Sequence, residues 1–224
     1  MIRLVNVSVK QDFKPILGIE TAFGAVSVCV IGSLDFEPIA LMELDLDRGH
    51  AEALVPVIKG VVRATGLNFT DLGRVAVSIG PGSFTGVRIG LSAARAIGLA
   101  IGVDVIGVST LSAFAAPFLG GETPVLASVV EARNQQVYFQ SFDCSGTTLV
   151  GPSIGMVTDM LSKLGSRPLA LVGNAASRVG HEAVLLGTVV SSVYQKSAPS
   201  VMDIARLGCL SPNVRSPPRP SYFV

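Results

Sequence analysis

The spacing of apolar residues along this chain changes period several times, and each change marks an element. Ile16–Ile19 and Ala25–Ile31 are short runs rich in Val and Ile around a turn with Gly24. Pro38–Leu44 is a third run of the same kind, so three strands follow one another. From Ala51 to Thr65 the period lengthens, with Leu54, Ile58, Val61 and Val62 on one face of a helix. Val75–Ile79 predicts a fourth strand, Thr85–Ile101 a second helix and Val103–Val108 a fifth strand. Ser109 and Thr110 then cap a third helix running to about Phe118. Three hairpin-linked strands followed by two right-handed crossovers form a recognisable α/β topology.

The second half repeats this more faintly. Val125–Val130 and Gln136–Phe142 form a hairpin-like pair, followed by a helix at Val157–Leu164, a strand at Leu169–Val172 and a helix at Val201–Leu210. This predicts a reduced second copy of the first core. The expected organisation is a leader at 1–15, an N-terminal subdomain at 16–121, a reduced C-terminal subdomain at 122–210 and a Pro-rich tail at 211–224. The tail holds four prolines in fourteen residues, which favours an extended or disordered segment over a helix.

Composition narrows the function classes. Of 224 residues, 49% are hydrophobic and 15% charged, enough apolar surface for a large core and for a partner besides. The net charge of +1 supplies no strong electrostatic footprint for nucleic acid. Cys29, Cys144 and Cys209 are odd in number and widely spaced, reading as small buried hydrophobes in a reducing compartment. The N-terminus carries no signal-peptide pattern and Val105–Gly121 no convincing membrane span, so the expected location is cytoplasmic.

The most informative segment is Gly80-Pro-Gly-Ser-Phe-Thr-Gly-Val-Arg-Ile-Gly90, between a buried strand and a helix. Such loops present backbone N–H groups to anions. Gly80, Gly82, Ser83, Phe84, Thr85 and Gly86 are therefore the candidate nucleotide or anion loop, with Ser83 or Thr85 able to cap the helix. A P-loop fails for want of a Lys between Lys59 and Lys163, and a Rossmann fingerprint fails because Gly82 to Gly86 is one residue too long. A purely structural turn stays open beside the anion reading.

The whole eleven-residue string resembles the signature of the bacterial TsaB (YeaZ) family, which takes part in placing threonylcarbamoyl on tRNA adenosine. The resemblance continues at Ile16–Val28, at Gly49–Pro56, at Ile106–Leu111 and at Val129–Tyr138, covering residues 16–140 well and the remainder weakly. It implies a ribonuclease-H-like, actin-like ATPase fold, in agreement with the strand order. The partners it implies are a TsaD-type catalytic paralogue and a TsaE-type ATPase, with tRNA met only through the complex. The sequence leaves open self-association of the free chain through the surface its partner uses.

Catalytic motifs are scarce. In actin-like ATPases the first hairpin opens with Asp and Gly at the phosphate; here the turn is Glu20-Thr-Ala-Phe-Gly24, and Phe23 would crowd a triphosphate. His50 and His181 are the only histidines and form no His-x-x-x-His pair of the kind that holds a metal in the catalytic paralogue. Ser83 lies outside any Gly-x-Ser-x-Gly elbow. Glu131 and Arg133 read as an ion pair or turn stabiliser, and His50 as a cap or interface group. Gly86, Gly90, Ala94, Gly98 and Gly102 repeat every four residues as a small-residue ridge. That ridge packs either on its own sheet or against a partner helix. The expected partner surface is the Ala51–Thr65 and Thr85–Ile101 helix pair, through His50, Leu54, Arg88, Gly90, Ser92 and Arg95. The reading is a non-catalytic partner subunit holding no tight cofactor and no metal, with ATP or ADP only at a subunit interface. An ATPase or kinase and a glycoprotease-like peptidase are the alternatives.

Overall fold

The computed structural model describes residues 2–4, 14–32, 37–121, 125–212 and 217–221. The chain divides into two compact units: described residues up to Ser109 with Ser200–Ser221, and Thr110–Pro199. In the first unit β1 (Ile2–Leu4), β2 (Ile16–Glu20), β3 (Ala25–Ile31) and β4 (Pro38–Asp45) precede α1 (His50–Ala64). Strand β5 (Arg74–Ser78), α2 (Phe84–Ile101) and β6 (Asp104–Val108) complete the series. The sheet order is β1-β4-β3-β2-β5-β6. Strands β2, β3 and β4 form an antiparallel meander, and β5 and β6 join parallel to β2. This is the ribonuclease-H-like arrangement of actin-like proteins, extended by β1 at one edge.

Period explains placement. Strands β2 and β3 are buried throughout, as continuous Val/Ile runs require when both faces are covered. Ile19 and Val77 face α2, whereas Gly18 and Ala76, one residue earlier, face α6 (Val201–Leu210). Helix α1 buries Leu54, Val57, Ile58, Val61 and Val62 on the same core. Helix α2 has the length and hydropathy of a membrane span, and it buries Val87, Leu91 and Ala94 in this unit. It ends at Gly102, whose φ of 71° is left-handed and favours glycine.

The second unit repeats the design. It contains α3 (Thr110–Ala115), β7 (Val125–Glu131), β8 (Val137–Phe142), β9 (Thr148–Gly155) and α4 (Val157–Leu164). Then come β10 (Leu169–Gly173), α5 (Ala176–Leu185) and β11 (Val190–Gln195). Its order, β9-β8-β7-β10-β11, matches β4-β3-β2-β5-β6 strand for strand. The copy is reduced in its crossover helices, at 8 and 10 residues against 15 and 18, while each of the five strands has its counterpart.

The expected boundaries at 121 and 210 also move, to 109/110 and 199/200. Helix α3 buries Leu111 and Phe114 in the second unit, where it packs on β7, β8 and β10. Helix α6 packs on β2, β3, β5 and β6 of the first, and Gly208 meets Ala76 too closely for a side chain. Each helix belongs with the sheet that covers its apolar face. The leader is not a plain appendage, since Ile2–Leu4 pair with β4. Residues 5–13, 213–216 and 222–224, parts of the expected leader and tail, lie outside the described residues. Residues 217–221 are extended, and Ser221 N–H donates to Ile79 O at 2.9 Å.

Candidate functional site

Two glycine-bearing segments of the first unit meet where β2 and β5 end side by side. The β2–β3 turn, Thr21–Gly24, presses on the Gly80–Ser83 loop, whose Gly80–Pro81 bond is cis. Ser83 N–H donates to Ala22 O at 2.7 Å, and Thr21 Oγ1 donates to Gly86 O at 2.8 Å. A Cβ at Gly82 would stand 2.6 Å from Ala22 O, and at Gly86 it would run into Thr21 O. These glycines are thus required by close backbone approach. Gly80, at φ 93°, needs glycine for its conformation. Ser83 Oγ accepts from Gly86 N–H at 3.2 Å and caps α2.

The loop is therefore a clasp between the turn and α2. The amides of Ser83 and Gly86 are already engaged within it, Gly82 is filled against Ala22, and Phe84 and Thr85 open the helix.

Beside the clasp, the starts of α1 and α2 border a cavity of ≈ 370 Å³, where Arg48, His50 and Glu52 face Ser83, Thr85 and Ile89. His50 Nε2 donates to Phe23 O at 3.0 Å, so this side chain ties α1 to the β2–β3 turn. Glu20, at the end of β2, is 1% exposed. Burial pushes its carboxyl up to about 7, against the opposing effects of Ala22 N–H and the Ser78 hydroxyl. Its Oε1 accepts from Ala22 N–H.

The expected partner surface is only partly at the surface. Gly90 is buried: a Cβ there would run into Thr21 Oγ1 and lie 3.4 Å from Val77. The ridge Gly86–Gly90–Ala94–Gly98 faces its own sheet, which decides between the two packings the sequence left open and removes Gly90 from the interface. Leu54, 1% exposed, is likewise core. Two residues along the helix turn the direction by roughly 200°, so Phe84, Arg88 and Ser92 look away from the sheet, and Leu99, about two turns beyond Ser92, stands on the same row. Phe84 is 56% and Leu99 86% exposed, and the Arg88 guanidinium lies 3.6 Å above the Phe84 ring. Arg95 donates to Pro218 O in the extended tail. Val55 on α1 is exposed as well. Sequence reasoning passed over Leu99 and Val55 because the glycine ridge drew attention to the opposite face; apolar residues standing on the polar row were the available signal.

Elsewhere Glu131 does not pair with Arg133. Arg178 of α5 grips it through Nη2–Oε2 at 2.7 Å and Nε–Oε1 at 3.0 Å. Cys29 is buried, and burial pushes its thiol up to about 12, but Cys144 is exposed and departs from the expected buried pattern. Among the described residues no three His, Cys, Asp or Glu side chains cluster for a metal.

Comparison with known proteins bears on identity. The family model described as TsaD, tRNA N6-adenosine threonylcarbamoyltransferase, matches residues 45–207. An uncharacterised protein of Mycobacterium tuberculosis H37Rv is 34% identical over 152 residues, 67% of this chain and 69% of that protein. The tRNA threonylcarbamoyladenosine biosynthesis protein TsaB of Escherichia coli K12 is 38% identical over 129 residues, 57% of this chain and 54% of that protein. A crystal structure of a Pseudomonas aeruginosa protein with similarity to peptidase YEAZ superposes with a TM-score of 0.75 at 19% identity. The match covers 95% of this chain and all of that one, a likeness of fold.

Proposed function

The chain belongs to the TsaB (YeaZ) family, within the reach of the TsaD threonylcarbamoyltransferase family model, and on that premise we propose that it is a non-catalytic partner subunit. It binds and supports a TsaD-type transferase in forming N6-threonylcarbamoyladenosine in tRNA, in the cytoplasm, with a TsaE-type ATPase as third member. The observation that carries this reading is the outer row of α2. Phe84 and Leu99 are large exposed apolar residues flanking Arg88 and Ser92, the mixture of anchors and polar groups found at protein interfaces. The clasp supports the non-catalytic half of the reading, because it fills the turn where an actin-like ATPase would admit phosphate. ATP or ADP enters only at a subunit interface.

Reconstitution tests this. Threonylcarbamoylation of tRNA by the transferase and ATPase should rise at least tenfold when the chain is added, while the chain alone turns over no ATP above a buffer control. Unchanged modification on addition would overturn the support role. ATP turnover by the chain alone, abolished in Glu20→Ala, would favour the kinase reading.

A further inference from the structure

The last strand of the second sheet is less covered than its counterpart in the first. In the first unit Val105 of β6 packs against Gly98 under a helix of 18 residues and is partly buried. In the second, Val193 of β11 packs against Gly180 in the same way, but α5 has only 10 residues and Val193 stays exposed. Gly187, at φ 82°, then turns the chain back sharply. Its N–H donates to Val184 O at 3.0 Å, and Thr188 N–H donates to Ala183 O at 2.9 Å. The reversal sets Val189, just before β11, beside the end of α5.

Val184, Leu185, Leu186, Val189 and Val193 thus gather at one corner of this unit, each between 43% and 73% exposed. No charged residue occurs between Glu182 and Lys196. Together the five side chains expose on the order of 500 Å² of apolar surface, near the upper end of what a soluble monomer carries in one patch.

We propose that this corner binds the same corner of a second copy of the chain, forming a two-fold dimer through the second units. Area argues for that occupant. Each partner of a stable dimer buries about 800 Å², of which roughly two thirds is apolar in homodimers, and the corner supplies about that apolar share. Charge argues the same way. A two-fold axis sets a patch against itself, so any charge in it would meet its like; this stretch has none to repel. A lipid surface calls instead for a rim of Lys and Arg, whereas Glu182 and Lys196 bound the stretch with opposite signs. Strand addition at the open edge is not the mode of contact. The β10–β11 register shifts so that Ser191 has no counterpart on β10, and a bulged edge is a poor template for another strand. Side chains make the contact.

The corner belongs to the second unit and the α2 row to the first, so self-association and partner binding use different surfaces. The dimer therefore carries two α2 rows, one on each copy. Their use rests on the function proposed above, but the dimer itself is tested on the free chain.

The test is sedimentation equilibrium of the full chain and three variants, each checked for an unchanged melt. The wild type should pass from monomer to dimer with a Kd in the micromolar range, about −8 kcal/mol, and go no further. Leu185→Glu should weaken the dimer at least tenfold, and Val189→Lys should do the same, so either decides if the other melts differently. Leu99→Lys, on the α2 row, should leave the dimer as in the wild type. A wild type that stays monomeric to about 100 µM, ten or more times the expected Kd, would overturn the proposal. So would a dimer that survives both corner substitutions, a dimer lost in Leu99→Lys, or a mass that climbs beyond two copies. Flotation of monomeric chain with phosphatidylglycerol vesicles, lost in Leu185→Glu, would assign the corner to a membrane and also end it. Failure of the transferase to bind would alter none of these masses.

Discussion

At the scale of single residues, close approach dominates. Gly90 stands where Thr21 Oγ1 occupies the place of a Cβ. Gly90→Ala gains about 1 kcal/mol in helix propensity. Against that stands overpacking worth roughly 1–3 kcal/mol, and the Thr21 hydroxyl cannot retreat without losing Gly86 O. Overpacking wins, so the variant should melt several degrees lower, and Gly90→Ala with Thr21→Ala together should recover part of the loss. A single variant as stable as wild type in a calorimetric melt would contradict this packing. Glu20 belongs to the same scale. Raising its carboxyl from 4.5 to about 7 corresponds to about 3 kcal/mol of stability, present at acid pH and lost as pH rises through 7. Denaturant unfolding of wild type against Glu20→Gln at pH 5 and pH 8 measures it: the wild type should lose the difference and the variant should not.

Elements show what patterning can and cannot reveal. Strands β2, β3, β5 and β6 and helices α1 and α2 were legible because both strand faces or one helix stripe are apolar, and those periods survive in the sequence. Strand β9 was missed: it is mostly exposed, with Gly151 and Pro152 inside it and register shifts against β8. Strand β11 is another exposed edge, and α5 buries small residues, Ala176, Gly180 and Ala183, that make a faint stripe with no side-chain cap. The candidate loop was legible as a motif, but its meaning was not. Whether its amides serve an anion or a neighbouring turn depends on Thr21 and Ala22, some sixty residues away. The same holds for the tail. Its prolines suggested an extended or disordered segment and gave no sign of contacts. In the fold, Pro218 lies against Gly107, Arg95 donates to Pro218 O, and Ser221 bonds Ile79. Deleting residues 217–224 should therefore cost roughly 1–2 kcal/mol, the worth of one or two hydrogen bonds with their packing. A melt unchanged by the deletion would show that the strap contributes nothing.

The whole molecule is a duplicated sheet in which the helix after each unit's last strand is counted with the other unit. Sequence order alone could not show this, because chain continuity suggests that a helix stays with the strand before it. A fragment of residues 110–199, which keeps α3 on β7, β8 and β10, should melt cooperatively by circular dichroism. A fragment of residues 122–210, without α3 and with the apolar face of α6 uncovered, should aggregate; the reverse outcome would refute the division. Among the described residues no side chains cluster for a metal, a clasp ties the β2–β3 turn to the start of α2, and Phe84 and Leu99 stand exposed on the outer row of α2. The central claim is that this row binds the TsaD-type transferase. Calorimetric titration of that transferase with the wild-type chain and with Leu99→Lys tests it most directly, each variant checked for an unchanged melt, since residue 99 is 86% exposed. The account predicts saturable binding by the wild type and at least a tenfold weaker Kd for Leu99→Lys, about 1.4 kcal/mol or more. Equal affinity of the two proteins, or no binding by either, would contradict it.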